Sequence, residues 1–124
     1  MRDTQVVDAN VILRFLLNDH PEQSEEAKQI ISANRILLRT EVICEVVYVL
    51  QKVYTVPRPT ISDILSRFLK IETAQSPDQD IIQFALELYG ERALDFVDCI
   101  LIGMNKVRGL KVASFDKKLL KQLA

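Results

Sequence analysis

Apolar positions recur along the chain with two periods, and the points where the period changes mark the element boundaries. Short apolar runs at Gln5–Asp8 (QVVD), Arg35–Arg39 (RILLR), Ile71–Ala74 and Leu110–Phe115 are of strand length. Between them the spacing predicts helices over Val11–Leu17, Pro21 to Ser32, Glu41–Tyr54, Thr60 or Ser62 to Leu69, Asp78 or Asp80 to Tyr89, Asp95–Val107 and Lys117–Leu123. The third of these has Val42, Val46, Val49 and Val53 on one stripe, with Ile43, Val47 and Leu50 beside it. Pro21 stands where a first helical turn tolerates proline. The two prolines in Val56–Pro59 predict a turn, and Gly90 and Gly109 are placed as C-caps. Strands alternating with helices imply a parallel sheet covered on both faces, a three-layer α/β/α sandwich. At this length the expectation is one domain over residues 1–124 with a single core.

Composition narrows the chemistry. Apolar residues make up 48% and charged residues 27%, ordinary for a globular protein. Arg14, Glu45 and Asp98 interrupt the longest apolar runs, so none reaches the length of a membrane span, and the N-terminus reads directly into a strand with no signal-peptide core. The expected location is cytoplasmic. Cys44 and Cys99 both lie inside apolar helical patterns and read as reduced core cysteines. His20 is the sole histidine, which leaves little material for a zinc site or a histidine-based triad. Residues 106–124 hold six basic residues and one acid, a balance of +5, against −6 over residues 1–105. An acidic body with a basic C-terminal edge suits a protein that holds cations and touches phosphates, and it equally describes a solvated helix end.

The acids fall in a pattern. In open α/β sheets ligands bind beyond the carboxyl ends of the strands, where helix N-termini also gather. Asp8 ends the first strand with Asn10 two residues on, Glu45 lies early in the helix after RILLR, Asp95 and Asp98 open the long apolar helix, and Asp116 follows the last strand run, VASF. Each has a plainer explanation. Asp8, Asn10 and Asp116 suit N-caps, Asp95 and Asp98 have the spacing of a capping box, and Glu45 suits a solvated face. Capping does not require Glu45, however. If the acids converge, two carboxylates about 5 Å apart repel by roughly 3 kcal/mol at an effective dielectric near 20. An all-oxygen anionic site selects a hard ion, Mg²⁺ or Mn²⁺, and such an ion facing a phosphate supports phosphodiester hydrolysis.

The residues around these acids resemble those of PIN domains. VVDANVILRFLL is similar to the family's opening, with the first acid at Asp8 and the polar residue at Asn10. LLRTEVICEVVYVL carries the second acid at Glu45, LDFVDCILIGMN the third at Asp98 with a helper at Asp95, and VASFDKKL the fourth at Asp116 with a hydroxyl at Ser114. The four motifs stand in the family's order over nearly the whole chain, and the small size resembles VapC-type toxins of toxin–antitoxin pairs. The resemblance implies Mg²⁺- or Mn²⁺-dependent endonuclease action on RNA, a homodimer, and a cognate antitoxin whose tail plugs the acidic pocket. It makes Asp8, Glu45, Asp98 and Asp116 the metal ligands, with Asn10, Asp95 and Ser114 as auxiliaries. The chain departs from the pattern at Lys118 and Leu119, where many relatives have a further Asp and an aromatic. Cys99 and Gly103 replace small alanines, and Glu41 is an additional acid.

Arg14, Arg39, Lys117 and Lys118 are candidates for holding an RNA backbone, although a surface or ion-pairing role explains each alone. Tyr48, Tyr54, Phe68 and Phe84 read as core or dimer interface, and no stacking platform for bases is visible. Two rival readings remain. A phosphatase or phospho-accepting domain needs a second Asp two residues after the first, and Asn10 occupies that position. A degenerate RNA- or partner-binding PIN module is disfavoured by the presence of all four main acids, and a PIN nuclease of RNA processing stays open beside the toxin.

Overall fold

The computed structural model describes residues 3–123, so residues 1, 2 and 124 of the expected domain lie outside the described residues. The elements are β1 (Thr4–Val6), α1 (Ala9–Leu17), α2 (Pro21–Ala33), β2 (Arg35–Leu37), α3 (Thr40–Lys52), α4 (Arg58–Phe68), β3 (Ala74–Gln75), α5 (Gln79–Glu91), α6 (Phe96–Arg108) and α7 (Lys117–Leu120). The strands form a parallel sheet in the order β1-β2-β3, with Gln5 opposite Ile36 and Leu37 opposite Gln75. Two helices fill each crossover, and the architecture is the three-layer α/β/α sandwich that the sequence pattern implies.

The core runs through every layer. Ile12 of α1, Ile36 of β2, Ile43 and Val46 of α3, Ile61 of α4, and Ile82 and Leu86 of α5 are all fully buried. Each such side chain contributes roughly 1.5–3 kcal/mol relative to exposure, so the apolar stripes rather than helix propensity hold these helices in place. His20 caps α2, its Nδ1 accepting from the Gln23 backbone N–H at 3.0 Å, so the lone histidine has a structural role. No helix among the described residues is long and apolar enough to cross a membrane.

Several boundaries differ from the sequence reading for local physical reasons. The α4 helix begins at Arg58 with Pro57 as its N-cap, because Pro59 fits the first turn and the hydroxyls of Thr60 and Ser62 are not needed. Gly90 does not end α5, which runs on to Glu91. A Cβ at Gly90 would stand 2.9 Å from the Ser62 Cβ, so this glycine serves the close approach of α4 and α5. The third strand is only Ala74–Gln75, shifted from the expected Ile71–Ala74.

The largest correction concerns Leu110–Phe115, expected to be the last strand. It forms no ladder. It keeps an extended profile, with Val112 and Ser114 half-buried between exposed Lys111, Ala113 and Phe115, and Phe115 has no cover at all. Its ends are held by contacts other than strand pairing. Gly109 turns in the left-handed region (φ 69°), Asn105 Nδ2 donates to the Leu110 carbonyl at 2.9 Å, and buried Leu119 anchors the far end. The β1 strand therefore stays at the edge, with Val6 64% exposed.

The pair α5–α6 carries the acids of the third motif, and Gly103 sets its closeness: a Cβ there would meet the Ile81 Cγ2 and carbonyl oxygen at 3.2 Å. Gly103→Val is expected to destabilise the protein by about 1–3 kcal/mol through overpacking. The measurement is a lower urea midpoint at unchanged m-value, and an unmoved midpoint would mean the helices have room at this position.

Candidate active site

Each acid is placed by a helix start. Asp8 follows buried Val7 at the end of β1 and caps α1, its Oδ1 accepting from the Val11 N–H at 3.1 Å. Asp95 caps α6 through Oδ2, which accepts from the Val97 N–H at 3.2 Å. Asp116 caps α7, with Oδ1 accepting from the N–H groups of Lys118 and Leu119 at 2.9 and 3.2 Å. The Asp116 N–H in turn donates to the Ser114 Oγ at 3.0 Å, which fixes the approach to that cap. The plainer reading as N-caps thus holds for Asp8 and Asp116, Asp95 caps without completing a capping box, and none of this conflicts with a second role. In each carboxylate one oxygen satisfies the helix end while the other makes no hydrogen bond within the described residues.

Asp98 differs. Asp95 bonds the second residue of the helix, and the return bond that would complete a capping box does not form, so Asp98 at the third position is left uncommitted. Burial, then the charges of Asp95 and Asp116, push its carboxyl above the usual range, against a smaller opposing pull from Lys118.

The acids gather in two sets. Asp8, Asn10 and Glu45 line one cavity of about 330 Å³ between α1 and α3, with Arg14 and Tyr54 on its wall. Asp98, at the start of α6, lies close enough to Asp95 and to Asp116 to feel the charge of each. The helix α3 joins the two regions, because Cys44, next to Glu45, feels the charge of Asp95. Among the described residues no three acidic, histidine or cysteine side chains are arranged to grip an ion directly. The donor chemistry nonetheless fits Mg²⁺, which keeps several waters and commonly takes only one or two carboxylates from a protein. Asp116, which follows the unpaired segment, caps α7 and acts on Asp98.

Two features had no signal that a sequence reading could isolate. Arg58 Nη1 donates to the carbonyls of Tyr89, Arg92 and Leu94 at 3.2, 3.0 and 2.7 Å, and the guanidinium stacks 4.0 Å over the Tyr89 ring. It fastens the turn that delivers Asp95. The second is the clasp of Arg14, whose Nη2 donates to the Tyr54 Oη at 2.9 Å and whose Nη1 pairs with Asp19 at 2.9 Å. Tyr54 is therefore not core but stands partly exposed beside Arg14. Glu41, whose role the sequence left open, pairs with Arg39 at 2.9 Å and lines a separate cavity with Asp78. The basic C-terminal edge is partly consumed internally: Arg108 pairs with Asp78 and Asp80, and Lys118 donates to the Ala93 carbonyl at 2.9 Å. Cys44 and Cys99 are free thiols pushed up by burial, Cys99 to about 12, which makes them unreactive.

A parallel α/β/α sandwich with acids at its helix starts is the architecture of PIN domains, and the PIN domain family model matches residues 6–124 of this chain. The chain belongs to that family. It is similar to a protein named VapC ribonuclease from Aquifex aeolicus (strain VF5), 28% identical over 120 residues, covering 92% of this chain and 88% of that one. No solved structure matches the chain.

The crowding of Asp98 has a consequence for stability. Its raised folded pKa means the native state binds the proton more tightly than the unfolded state, so this group's favourable contribution is full at acid pH and is lost as pH rises through the carboxylate range. In EDTA, Asp98→Asn is expected to raise the melting temperature at neutral pH and to lose that advantage below the ordinary aspartate pKa. A variant that melts lower than the parent at neutral pH would contradict the crowding.

Proposed function

We propose that the protein is a Mg²⁺- or Mn²⁺-dependent endoribonuclease, the toxin of a toxin–antitoxin pair. The observation that carries this reading is the meeting of Asp8, Asn10 and Glu45 across one cavity, with a second group of crowded carboxylates one helix away. Asp8, Glu45, Asp98 and Asp116 would hold the cation, directly or through water. The bound ion supplies charge neutralisation and a more acidic water for attack on a phosphodiester. Asn10 presents an amide beside Asp8 that can donate to a phosphate oxygen or a ligand water. Asp95 holds the α6 start and adds negative charge beside Asp98, and Ser114 steadies the Asp116 turn.

Substrate grip falls to the cations at the rim. Lys117, beside Asp116, is exposed, and the Arg39–Glu41 pair is exposed on both sides. Exposed pairs are worth little, so Arg39 exchanges its partner for a phosphate at small cost. The relative named VapC ribonuclease supports RNA as the substrate class and an antitoxin protein as the partner. A homodimer acting in the cytoplasm completes the proposal.

The test is direct. The purified protein is expected to cleave RNA when Mg²⁺ or Mn²⁺ is added and to stop with EDTA. Asp8→Asn and Asp98→Asn should each lower the cleavage rate at least about a hundredfold, since removing partners merely adjacent to metal ligands already costs 10–100-fold. Their circular dichroism should match the parent. Undiminished cutting by both variants would remove the carboxylates from the chemistry. For the toxin role, expression is expected to arrest growth of the host cell, and co-expression of a neighbouring antitoxin gene to relieve it.

A further inference from the structure

We infer that Arg14 and Tyr54 form a second subsite, one that holds a backbone phosphate of the RNA beside the carboxylate cavity; this deepens the nuclease reading and rests on it. Arg14 lines two cavities on either side of α1, one of about 220 Å³ toward α2 and one of about 330 Å³ toward α3, and Asp8 and Asn10 line both. The three residues therefore mark one groove passing over α1. Arg14 stands one helical turn beyond Asn10, about 6 Å along the axis. A phosphodiester chain that meets the carboxylates at Asp8 thus reaches the guanidinium with its next stretch of backbone.

The donors there are unusually placed. Arg14 is the one basic side chain lining either cavity among the described residues, and its side chain is 17% exposed. Its two terminal nitrogens are held by Asp19 and Tyr54, which fixes the plane of the fork. Its Nε–H is buried with no acceptor, so the charge is offered to the groove from the terminal end of the fork. Tyr54 Oη accepts from Arg14, so its own O–H remains to donate, and no acceptor for it exists among the described residues. Tyr54 is 37% exposed and lines the cavity wall. An unmade, accessible O–H beside a fixed positive charge matches the non-bridging oxygens of a phosphate. The Asp19 carboxylate holds the guanidinium in place and is itself solvent-exposed, and Arg14 is the one cation set among the acids Asp8, Glu26 and Glu45 that line the two cavities.

The experiment measures binding apart from cutting. In the Asp98→Asn background with Mg²⁺, anisotropy of a fluorescein-labelled single-stranded RNA is followed over a range of KCl concentrations. Arg14→Gln is expected to weaken binding about tenfold for RNAs of any sequence and to reduce the slope of log affinity against log salt by about 0.7, the loss of one single-strand phosphate contact. Tyr54→Phe should weaken binding about two- to threefold at unchanged slope, because the charge remains. Asp19→Asn, which removes the ion pair but keeps the guanidinium, should bind RNA at least as tightly as its parent. An Arg14→Gln slope equal to the parent's would overturn the subsite and leave Arg14 to a protein carboxylate or to the fold. So would an Asp19→Asn loss as large as that of Arg14→Gln. Absence of any RNA cleavage by the unsubstituted protein with Mg²⁺ or Mn²⁺ would instead sink the nuclease reading, and the slope comparison would still decide the subsite.

Discussion

The backbone N–H groups at a helix start have no partner within the helix, and in this protein they are met by aspartate side chains at α1, α6 and α7. A carboxylate has two oxygens, and a cap consumes only one. Each of these ends therefore holds an anion in a place where the helix field favours it, with a second oxygen left over. The same bond that stabilises the fold fixes where the negative charge stands. Serine or threonine would cap equally well and would leave no charge behind, so the choice of acid at these three caps is a choice about the surface beyond them.

Crowding limits how far such charges can be brought together without a cation. Asp98 marks the limit. It makes no cap, it is partly buried, and its two acidic neighbours hold its proton on more tightly than usual. Asp8 and Glu45, by contrast, face an open cavity, with Arg14 on the same wall as a resident positive charge. The protein thus stores acids in two adjoining regions joined by α3, one with an arginine on its wall and the other with a carboxyl that holds its proton more tightly than usual. That division suits a site completed by a hydrated ion rather than by a closed cage of ligands.

Support for these positions comes from residues with no chemistry of their own. Arg58 gathers three carbonyls of the α5–α6 turn and stacks on Tyr89, whose ring meets Phe96 edge-on at 5.6 Å. The Tyr89 Oη donates to Gln51 Oε1 at 2.7 Å, which links that turn to α3. The start of α6 and the helix bearing Glu45 are therefore tied through one buried aromatic, and Gly103 lets α5 lie close behind them. Precision at the acids depends on this packing.

The alternation of periods determined the layer architecture, because buried stripes at helical and strand spacing leave a chain few ways to hide them. The acids at element starts were equally legible, since a cap is a local arrangement of a few neighbouring residues. Boundaries set by contacts between distant residues were not: Gly90 looked like a helix end and is a close approach to Ser62, and Tyr54, which read as core or dimer interface, is a partner of Arg14 forty residues away. The Leu110–Phe115 run carries a strand's alternation, but whether it joins β1 depends on where its two ends are anchored, and Gly109 and Leu119 anchor them elsewhere. Local patterns record what each segment needs from its surroundings. Only the three-dimensional arrangement decides which neighbour supplies it, and here that decided that Asp8 faces Glu45 while Asp116 faces Asp98.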